Sequence, residues 1–488
     1  MSLLSSGSVV RFHPGASAPL AIVQPMPVSF RLPRAADLRV LFRLALPVVA
    51  ALVGLMAMGV VDTMMVGHLS AEALAAVALG NVYYFAATIF GMGTLMALDP
   101  VLSHAVGAGD PEEIARGIQR GIVLAILLCL PTALLLWPAP AVFAALHQPP
   151  DVAPLAGAYT RVCIPGTIGL FAFVVLRQSL QALHRMRPVV LTILAANVLN
   201  AGLNWVLIYG RFGAPALGVV GSALSTTISR LLMAVLLLVL AWPALRDDVR
   251  PFRRAALELA PLGRLLRIGI PIGLQQQLEY GVFGVVGLLM GTMGTNQVAG
   301  HQVALNLASL TFMVPLGISS AAAVVVGQAV GRRDLGGAIE AAQAALTVAV
   351  GFMGSTALIF LLLPGTLARL YTTAPAVIAV AISLLPLAAV FQVFDGIQVT
   401  SIGILRGLGD TRTPMITGIL GYWAIGLPVS LWLGFRVGLG PAGLWWGLVL
   451  GLALVAIFLL ARVRRKLTQP LRRVTLEASL KTLPATDV

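Results

Sequence analysis

Three carboxylates lie inside stretches of sequence that are otherwise apolar enough to cross a lipid bilayer. They are Asp62, Glu279 and Asp395. An ionised carboxylate at the bilayer centre costs about 2.5–3.5 kcal/mol, so three unpaired ones cost roughly 8–10 kcal/mol. Such groups are retained where they face a protein interior or a watery cavity and bind a cation or a proton. The pattern therefore indicates a membrane transporter.

Polar side chains accompany two of these carboxylates at helical spacing. Gln275 lies four residues before Glu279, and Gln392 and Gln398 lie three residues on either side of Asp395. Residues three or four apart share one face of a helix. We therefore expect two polar stripes that line a hydrated substrate cavity. The alternative is that each carboxyl is neutral, buried and hydrogen bonded for a structural purpose.

A row of amides is the other candidate partner for a carboxylate. Asn197, Asn200 and Asn204 share one face of a predicted helix. Their oxygens could complete the coordination of Na⁺ beside Asp62, or Asp62 could bind a proton. The alternative is hydrogen bonding between helices, which is common for Asn in membrane bundles. We expect Asp62, Asn200 and Asn204 to form a coupling site separate from the two polar stripes.

Three further polar residues have more ordinary interpretations. Asp99, just before Pro100, is expected to be structural or to act in gating. Arg230 is expected to be buried against a carbonyl or carboxylate. His301 follows a glycine near a predicted helix start, which favours a structural role over proton relay.

The composition is that of a helical membrane protein. Of 488 residues, 59% are hydrophobic and 10% are charged, and the mean hydropathy is +0.96. Soluble proteins carry about 25% charged residues. Apolar runs of at least 18 residues recur and are continuous, which favours helices over a β-barrel. Cys129 and Cys163 lie in apolar runs and indicate neither a disulfide framework nor a metal site.

Twelve transmembrane helices are predicted, with boundaries good to a few residues. Their ranges are 44–66, 72–98, 118–138, 154–177, 188–209, 217–242, 264–291, 297–327, 338–363, 375–402, 414–435 and 441–462.

The distribution of basic residues predicts the orientation. The side that holds both termini carries 26 Arg and Lys residues and the other side carries four, while Arg177 and Arg230 lie within helices. Cytoplasmic loops are enriched in Lys and Arg. Both termini are therefore expected in the cytoplasm. The net charge of +14 is explained by this arrangement, so no nucleic-acid partner is expected.

The loops divide the chain into five parts. Residues 1–43 are expected to be a mostly disordered cytoplasmic tail, without the apolar core of a signal peptide. A six-helix lobe at 44–242 precedes a charged cytoplasmic linker at 243–263. A second six-helix lobe at 264–463 precedes a basic cytoplasmic tail at 464–488.

The two lobes resemble each other. When 47–110 is aligned on 271–334 without gaps, 11 of the 64 positions are identical, and AVGAGD meets AVGRRD. We call this alignment the repeat register. Because the chain is rich in Ala, Val and Leu, many identities arise by chance, so the aligned Pro and Gly positions matter more than the number of identical positions. The aligned pairs are Pro47 with Pro271, Gly67 with Gly291 and Gly93 with Gly317. Two six-helix repeats predict an all-α fold of two pseudo-symmetric lobes with the substrate pathway between them.

Several long segments resemble one known family, the multidrug and toxic compound extrusion (MATE) transporters. The longest is VAGHQVALNLASLTFMVPLGISSAAAVVVGQAVGRRD, 298–334. VVDTMMVGHLSAEALAAVALG (60–80), ALDPVLSHAVGAGD (97–110), LNWVLIYGRFGAPALGVVGSALST (203–226) and ILRGLGDTRTP (404–414) look like its other landmarks. The resemblance covers about 44–463. The chain departs from the family mainly at its long N-terminal tail and its Arg-rich C-terminus.

The resemblance implies a function and a set of site residues. Positions matching coupling residues of the NorM-like branch are Asp62, Asn200, Asn204, Glu279 and Asp395. It implies efflux of cationic or amphipathic compounds across the bacterial inner membrane, in exchange for Na⁺ or H⁺ and without a cofactor. We expect a monomer in the bilayer.

Two other functions are the alternatives to this one. A flippase for lipid-linked oligosaccharides or lipid precursors would favour a cationic cavity for a pyrophosphate, whereas the intramembrane charges here are chiefly acidic. An intramembrane enzyme would need a convergent nucleophile and base or a metal cluster. The six histidines are scattered and none lies near Asp62 in the sequence, so no enzyme activity is expected.

Overall fold

A computed structural model describes residues 33–477, and all regular structure in this part of the chain is helical. The predictions made for residues 1–32 and 478–488 lie outside the described residues. The N-terminal half contains α1 (Ala35–Gly67), α2 (Ala71–Leu95), α3 (Leu98–Ala108), α4 (Pro111–Leu136), α5 (Ala139–Ala145), α6 (Ala153–Cys163), α7 (Gly166–Ala182), α8 (Arg187–Tyr209) and α9 (Gly218–Val249).

The C-terminal half repeats this pattern after a short 3₁₀ turn at Arg254–Leu257. It contains α10 (Leu259–Met293), α11 (Thr295–Gly331), α12 (Leu335–Leu362), α13 (Pro364–Arg369), α14 (Pro375–Gly407), α15 (Arg412–Gly418), α16 (Leu427–Leu431) and α17 (Gly440–Leu467). Residues 419–426 and 432–436 are π-helical and join α15 and α16 into one span.

The described residues contain twelve spans. Ten helices or helix pairs are long and apolar enough to cross a membrane, and α6 with α7 forms an eleventh span, bent by 49°. The twelfth is α10, whose mean hydropathy is reduced by Gln275, Gln276, Gln277 and Glu279. The predicted fold of twelve helices in two lobes is therefore confirmed.

The first helix begins earlier than predicted. α1 starts at Ala35, so the assignment of residues 35–43 to a disordered tail was wrong. Leu41, Leu44 and Ala45 are buried and pack in the core of the C-terminal lobe. Arg39 and Arg43 are exposed on the opposite face. These charges lower the local hydropathy, which hid an amphipathic extension of the helix.

The predicted linker and C-terminal tail are also shorter than expected. α9 continues through Val249 and α10 begins at Leu259, so both helices extend into the 243–263 segment. α17 continues to Leu467, four residues into the predicted basic tail. Charged residues extend these helices beyond the apolar core, and hydropathy alone does not detect such extensions.

Two hydrophobic cores define the lobes. The N-terminal core contains Tyr159, Phe171 and other fully buried residues of α2–α9. The C-terminal core is built around Phe391 and Trp445, whose ring centroids lie 5.9 Å apart. Each lobe thus has its own hydrophobic core, to which the first helix of the other lobe also contributes.

The internal repeat is visible in reciprocal contacts between α3 and α11. A Cβ placed on Gly107 would lie 2.1 Å from the backbone oxygen of Gln328. A Cβ on Gly331 would lie 2.3 Å from the backbone oxygen of His104. In the repeat register Gly107 corresponds to Gly331, and His104 corresponds to Gln328. The two helices therefore cross on the pseudo-twofold axis, and both need glycine at the crossing.

A second pair of contacts obeys the same register. A Cβ on Gly93 would lie 2.8 Å from the Cα of Gly273, and a Cβ on Gly317 would lie 2.4 Å from Val49. Val49 and Gly273 are also equivalent positions of the two repeats. Each lobe therefore receives the first helix of the other lobe in an equivalent groove.

The last described residues form a C-terminal strap, defined here as residues 468–477. The strap leaves α17 in the C-terminal lobe and lies on the N-terminal lobe, where Leu476 is fully buried. The backbone N–H of Val474 donates to His104 Nδ1 at 3.0 Å. Arg473 pairs with Asp110 and Glu113, and Glu477 pairs with Arg116 at 2.8 Å. The strap is thus an ordered connection between the lobes.

The end of α17 is anchored by Asp410. Its carboxylate accepts a hydrogen bond from Arg462 at 2.8 Å and lies 3.8 Å from Lys466. Burial acts to raise the pKa of Asp410, but hydrogen bonds from Arg462 and Thr413 outweigh it and leave the pKa below its usual value. Asp410 is therefore ionised at neutral pH and fixes the start of the strap.

Candidate functional site

Asp62 is the centre of a buried polar cluster in the N-terminal lobe. It is 2% exposed and lies near the end of α1 away from the arginine-rich side. Its Oδ1 accepts a hydrogen bond from Asn204 Nδ2 at 2.5 Å, and its Oδ2 accepts one from Thr226 Oγ1 at 2.7 Å. Asn204 Nδ2 also donates to Asn200 Oδ1 at 3.2 Å. The structure therefore brings Asp62, Asn200 and Asn204 together.

The cluster retains unused hydrogen-bonding capacity. Asn200 Nδ2 and Asn204 Oδ1 are buried and have no hydrogen-bond partner. Within residues 33–477, no group of three or more His, Cys, Asp or Glu side chains could hold a metal ion. An ion at Asp62 would therefore rely on one carboxylate with amide and hydroxyl oxygens, the hard donors that suit Na⁺.

Asn197 and Thr226 show where the spacing of polar residues misleads. Asn197 Nδ2 donates to the backbone oxygens of Gly54 and Ile193, at 3.0 and 2.9 Å, and makes no contact with Asp62. Thr226 does bind Asp62 but was not predicted. Thr226 lies among Ser225, Thr227 and Ser229, and nothing in this run of hydroxyl residues singles out the one that meets a carboxylate.

Arg230 has an aromatic partner. Its guanidinium carbon lies 4.4 Å from the ring centroid of Tyr84, which is a cation–π contact. One of its terminal nitrogens is buried without a hydrogen-bond partner. The aromatic ring is therefore its defined contact, and a hydrogen bond to a carbonyl or carboxylate stays a prediction. Arg230 lies inside the N-terminal lobe, close enough to Asp62 for an electrostatic interaction.

A second acidic cluster lies in the C-terminal lobe. Glu279 Oε2 accepts a hydrogen bond from Gln275 Nε2 at 2.7 Å, and Glu279 Oε1 lies 3.5 Å from Gln398 Nε2. Asp395 is close enough to Glu279 for the two charges to interact. Tyr422 adjoins both carboxylates, and its buried hydroxyl has no partner. Four of the predicted residues therefore meet here, together with a tyrosine that the sequence did not reveal.

Gln392 lies elsewhere in the lobe. Its Oε1 accepts hydrogen bonds from Thr311 at 2.7 Å and Thr356 at 3.0 Å, and the residue is fully buried. His301 is also structural in its contacts, because its Nδ1 accepts a hydrogen bond from Trp445 Nε1 at 3.1 Å. The polar stripe on α14 thus divides between the acidic cluster and the packing of α11, α12 and α14.

An ion pair joins the two lobes on the arginine-rich side of Glu279. Asp99 of α3 and Arg406 of α14 are buried, and Asp99 Oδ2 lies 2.9 Å from the Arg406 guanidinium. Arg177 of α7 also interacts electrostatically with Asp99. His104 Nε2 lies 2.7 Å from the backbone oxygen of Gly407. Asp99, expected to be structural or gating, is therefore part of the lobe interface.

Amide side chains extend this interface. Gln328 Nε2 donates to the backbone oxygen of Ala182 at 2.8 Å, and Gln328 Oε1 lies 2.8 Å from His184 Nε2. Gln181 Nε2 donates to the backbone oxygen of Ser320 at 2.9 Å. Across residues 33–467, the hydrogen bonds and ion pairs between the lobes all lie at mid-span or on the arginine-rich side. We call this set of contacts the gate.

The side away from the arginines carries a surface groove on the N-terminal lobe. A groove of about 580 Å³ lies along the last turns of α1, between Met56 and His68, and reaches Leu74 of α2. Glu279 is only partly buried. The lobes are thus closed on the arginine-rich side, and the acidic cluster lies beyond the closure.

Two six-helix lobes related by an internal repeat, with buried carboxylates in each, are the architecture of a membrane transporter. The MatE family model matches residues 47–206 and 271–432, two segments whose starts coincide in the repeat register. The chain therefore belongs to the MATE family of multidrug efflux transporters.

Relatives of this chain carry multidrug-resistance names. It is 37% identical over 442 residues to the probable multidrug resistance protein NorM of Mesorhizobium japonicum, covering 88% of this chain and 94% of that protein. It is 38% identical to NorM of Burkholderia vietnamiensis, covering 87% and 93%. It is 35% identical to the multidrug resistance protein MdtK of Edwardsiella ictaluri, covering 89% and 96%.

Solved structures share the fold at lower identity. The eukaryotic MATE transporter AtDTX14 superposes with a TM-score of 0.81 at 23% identity, covering 89% of this chain and 98% of that chain. An outward-facing multidrug resistance MATE transporter of the MOP superfamily gives a TM-score of 0.79 at 22% identity, covering 88% and 96%. These similarities support the two-lobe architecture.

Proposed function

We propose that this transporter exports cationic or amphipathic compounds in exchange for Na⁺ or H⁺. The observation that carries the proposal is the acidic cluster of Glu279 and Asp395. Asp395 is buried and Glu279 partly buried, both lie on helices of the C-terminal lobe, and neither has an arginine or lysine partner within residues 33–477. A cation that enters this cluster gains strong electrostatic stabilisation because little water screens it.

The gate is proposed to alternate between the two conformations that exchange requires. In the conformation described here the Asp99–Arg406 pair holds the lobes together on the arginine-rich side. Opening that side separates Asp99 from Arg406. Arg177 belongs to the same lobe as Asp99 and stays beside it, which reduces the cost of leaving the carboxylate buried. Each ligand shifts this equilibrium only by its differential affinity for the two states.

Asp62 is proposed as the coupling site of the N-terminal lobe. A proton on Oδ2 requires only that the Thr226 hydroxyl turn from donor to acceptor. Na⁺ requires more, because Asn204 now presents its NH₂ group to Asp62 and must rotate to offer Oδ1. Both ions remain candidates, and they make different demands on Asn204.

The coupling ion is tested with Asn200→Ala and Asn204→Ala in proteoliposomes under an imposed Na⁺ gradient and, separately, a pH gradient. If Na⁺ binds at Asp62, both changes remove ligands and raise the Na⁺ concentration needed for half-maximal efflux. If only a proton binds, they shift the pH dependence and Na⁺ has no effect. Asp62→Asn should abolish efflux under both gradients while purified protein still binds drug. Wild-type rates for that variant would remove Asp62 from the mechanism.

The substrate class is tested with Glu279→Gln and Asp395→Asn. Each change keeps the shape of the side chain but replaces a charge with a dipole, so efflux of cationic dyes should fall more than efflux of neutral ones. Glu340→Gln is the matched control, because Glu340 is partly exposed, lies outside the acidic cluster and pairs with Arg34 at 3.6 Å. Equal loss for both dye classes, at normal protein levels, would instead indicate a folding or gating role.

The cellular placement is also part of the proposal. The 26 to 4 distribution of basic residues supports cytoplasmic termini and a gate on the cytoplasmic side of the bacterial inner membrane. Separate cores in each lobe support a functional monomer. The flippase alternative is not favoured, since Arg230 is enclosed within the N-terminal lobe, where its guanidinium lies over the Tyr84 ring.

A further inference from the structure

A second cavity lies on the arginine-rich side, outside the transport pathway. It is a groove of about 380 Å³ between the α7–α8 turn and the last turns of α9. Its lining includes Arg185, Arg187 and Pro188 on one side and Leu240 and Pro243 on the other. We call it the α8–α9 groove. It therefore combines two cations with an apolar wall.

The two arginines have no partner in the protein. Arg185 and Arg187 are exposed, and within residues 33–477 neither makes an ion pair or a side-chain hydrogen bond. Some arginines elsewhere on this side are engaged, as Arg473 is with Asp110 and Arg462 with Asp410. The groove thus presents uncompensated positive charge to whatever lies against it.

The apolar part of the groove continues along the membrane-facing helices. On α8, Leu191, Leu194 and Val198 are exposed and lie four, seven and eleven residues after Arg187, on the same face. On α9, Val239 and Leu240 are exposed at the level of the groove. Exposed leucine and valine on a spanning helix contact lipid acyl chains. A ligand that fits has an anionic head above a hydrocarbon chain.

We propose that the α8–α9 groove binds an anionic phospholipid, with Arg185 and Arg187 on its phosphate and an acyl chain along Leu191 and Leu194. The guanidinium fork matches phosphate oxygens. Basic pockets between helices on the cytoplasmic side bind anionic headgroups in other membrane proteins. This proposal does not depend on the identity of the drug or of the coupling ion.

The position of the groove connects it to the gate. His184 also lines the groove and lies 2.8 Å from Gln328 of the other lobe. The same turn provides Ala182, whose backbone oxygen accepts from Gln328 Nε2. A lipid that orders the α7–α8 turn therefore favours the closed gate. Opening the gate separates Gln328 from this turn and removes that support.

The proposal is tested by lipid binding to the purified full chain, measured by native mass spectrometry with phosphatidylglycerol and phosphatidylcholine. Changing Arg185 and Arg187 together to Gln should weaken phosphatidylglycerol binding about 30-fold. Each arginine near the membrane surface contributes about 1 kcal/mol, and a loss of about 1.4 kcal/mol lowers affinity about tenfold. Phosphatidylcholine binding should not change. The matched control is Arg332→Gln with Arg333→Gln, exposed on the same side but outside the groove. Thermal unfolding in phosphatidylcholine should be equal for both double variants.

Two results would overturn the proposal. Equal losses of phosphatidylglycerol binding in the two double variants would mean that binding depends on overall surface charge rather than on the groove. Displacement of the lipid by millimolar inorganic phosphate would identify a site for soluble anions, because free phosphate gains nothing from the apolar wall. Leu194→Asn separates the two sources, since it should weaken lipid binding and leave any phosphate binding unchanged.

Discussion

The crossing of α3 and α11 allows the closed gate to be destabilised without changing any charge. In Gly107→Ala the new methyl group would lie 2.1 Å from the backbone oxygen of Gln328. An ordinary contact needs about 3.5 Å, so the helices must separate by roughly 1 Å. A backbone oxygen cannot rotate away as a side chain can. Overpacking of this kind costs about 1–3 kcal/mol.

That cost applies only in the closed conformation, in which α3 and α11 are in contact. Alanine also favours the helix by about 0.5–1 kcal/mol over glycine, but equally in both conformations, so this term cancels. The ratio of closed to open gate should therefore fall about 5- to 150-fold. Gly331→Ala should act similarly, since its methyl would lie 2.3 Å from the backbone oxygen of His104. The double variant should cost less than the sum, because one separation relieves both contacts.

The assay is thiol labelling of Ser320→Cys, a near-isosteric reporter buried in the gate. Cys129 and Cys163 are first replaced by alanine to remove the native thiols. Labelling should be faster in Gly107→Ala by the stated factor. Gly202→Ala is the control, because a Cβ there meets nothing within 4 Å. If Gly107→Ala labels at the rate of Gly202→Ala with an intact thermal transition, the lobes do not close through this crossing.

Three further predictions concern charge and orientation. Asp99→Asn should open the gate, because it leaves Arg406 buried without its carboxylate partner. Adding Arg406→Gln should restore part of the closure in the same thiol assay. No restoration would show that the two residues are not coupled. A membrane-impermeant thiol reagent on intact cells should reach Asp151→Cys but not Arg254→Cys, and the reverse pattern would invert the proposed orientation. Asp410→Asn should lower the melting temperature equally at pH 8 and pH 5.5, because a depressed folded pKa gives a contribution that is complete above about pH 4 and lost below it. A difference between those two pH values would contradict the ionised state of Asp410.

The sequence predicted those parts of the molecule that leave a periodic or compositional signal. Apolar runs indicated twelve spans, and the repeat register indicated two lobes whose contacts obey the same register. Asn200 and Asn204 were associated with Asp62 because they share one helix face and their oxygens could complete ion coordination beside that carboxylate. Gln275 was likewise placed with Glu279, and Gln398 with Asp395, by their spacing.

The residues that were missed lack such a signal. Threonine and tyrosine are common in membrane helices, so only the fold reveals that Thr226 and Tyr422 adjoin carboxylates. The start of α1 was missed because Arg39 and Arg43 reduce hydropathy on one face while Leu41 and Leu44 pack on the other. Asp99 and Arg406 are 307 residues apart, and no local pattern predicts a partner at that distance.

The C-terminal strap has a consequence for the order of biosynthesis. The N-terminal lobe is translated first, but Val474 reaches His104 only after 370 further residues have been made. Until then Asp110, Glu113 and Arg116 remain without their strap partners. One surface of the N-terminal lobe therefore stays uncovered during translation of the C-terminal lobe. The strap covers that surface only after residues 468–477 have been made. A premature stop codon after Leu467 would leave every span intact but would remove the strap, so the N-terminal lobe, which is translated first, would lack those contacts.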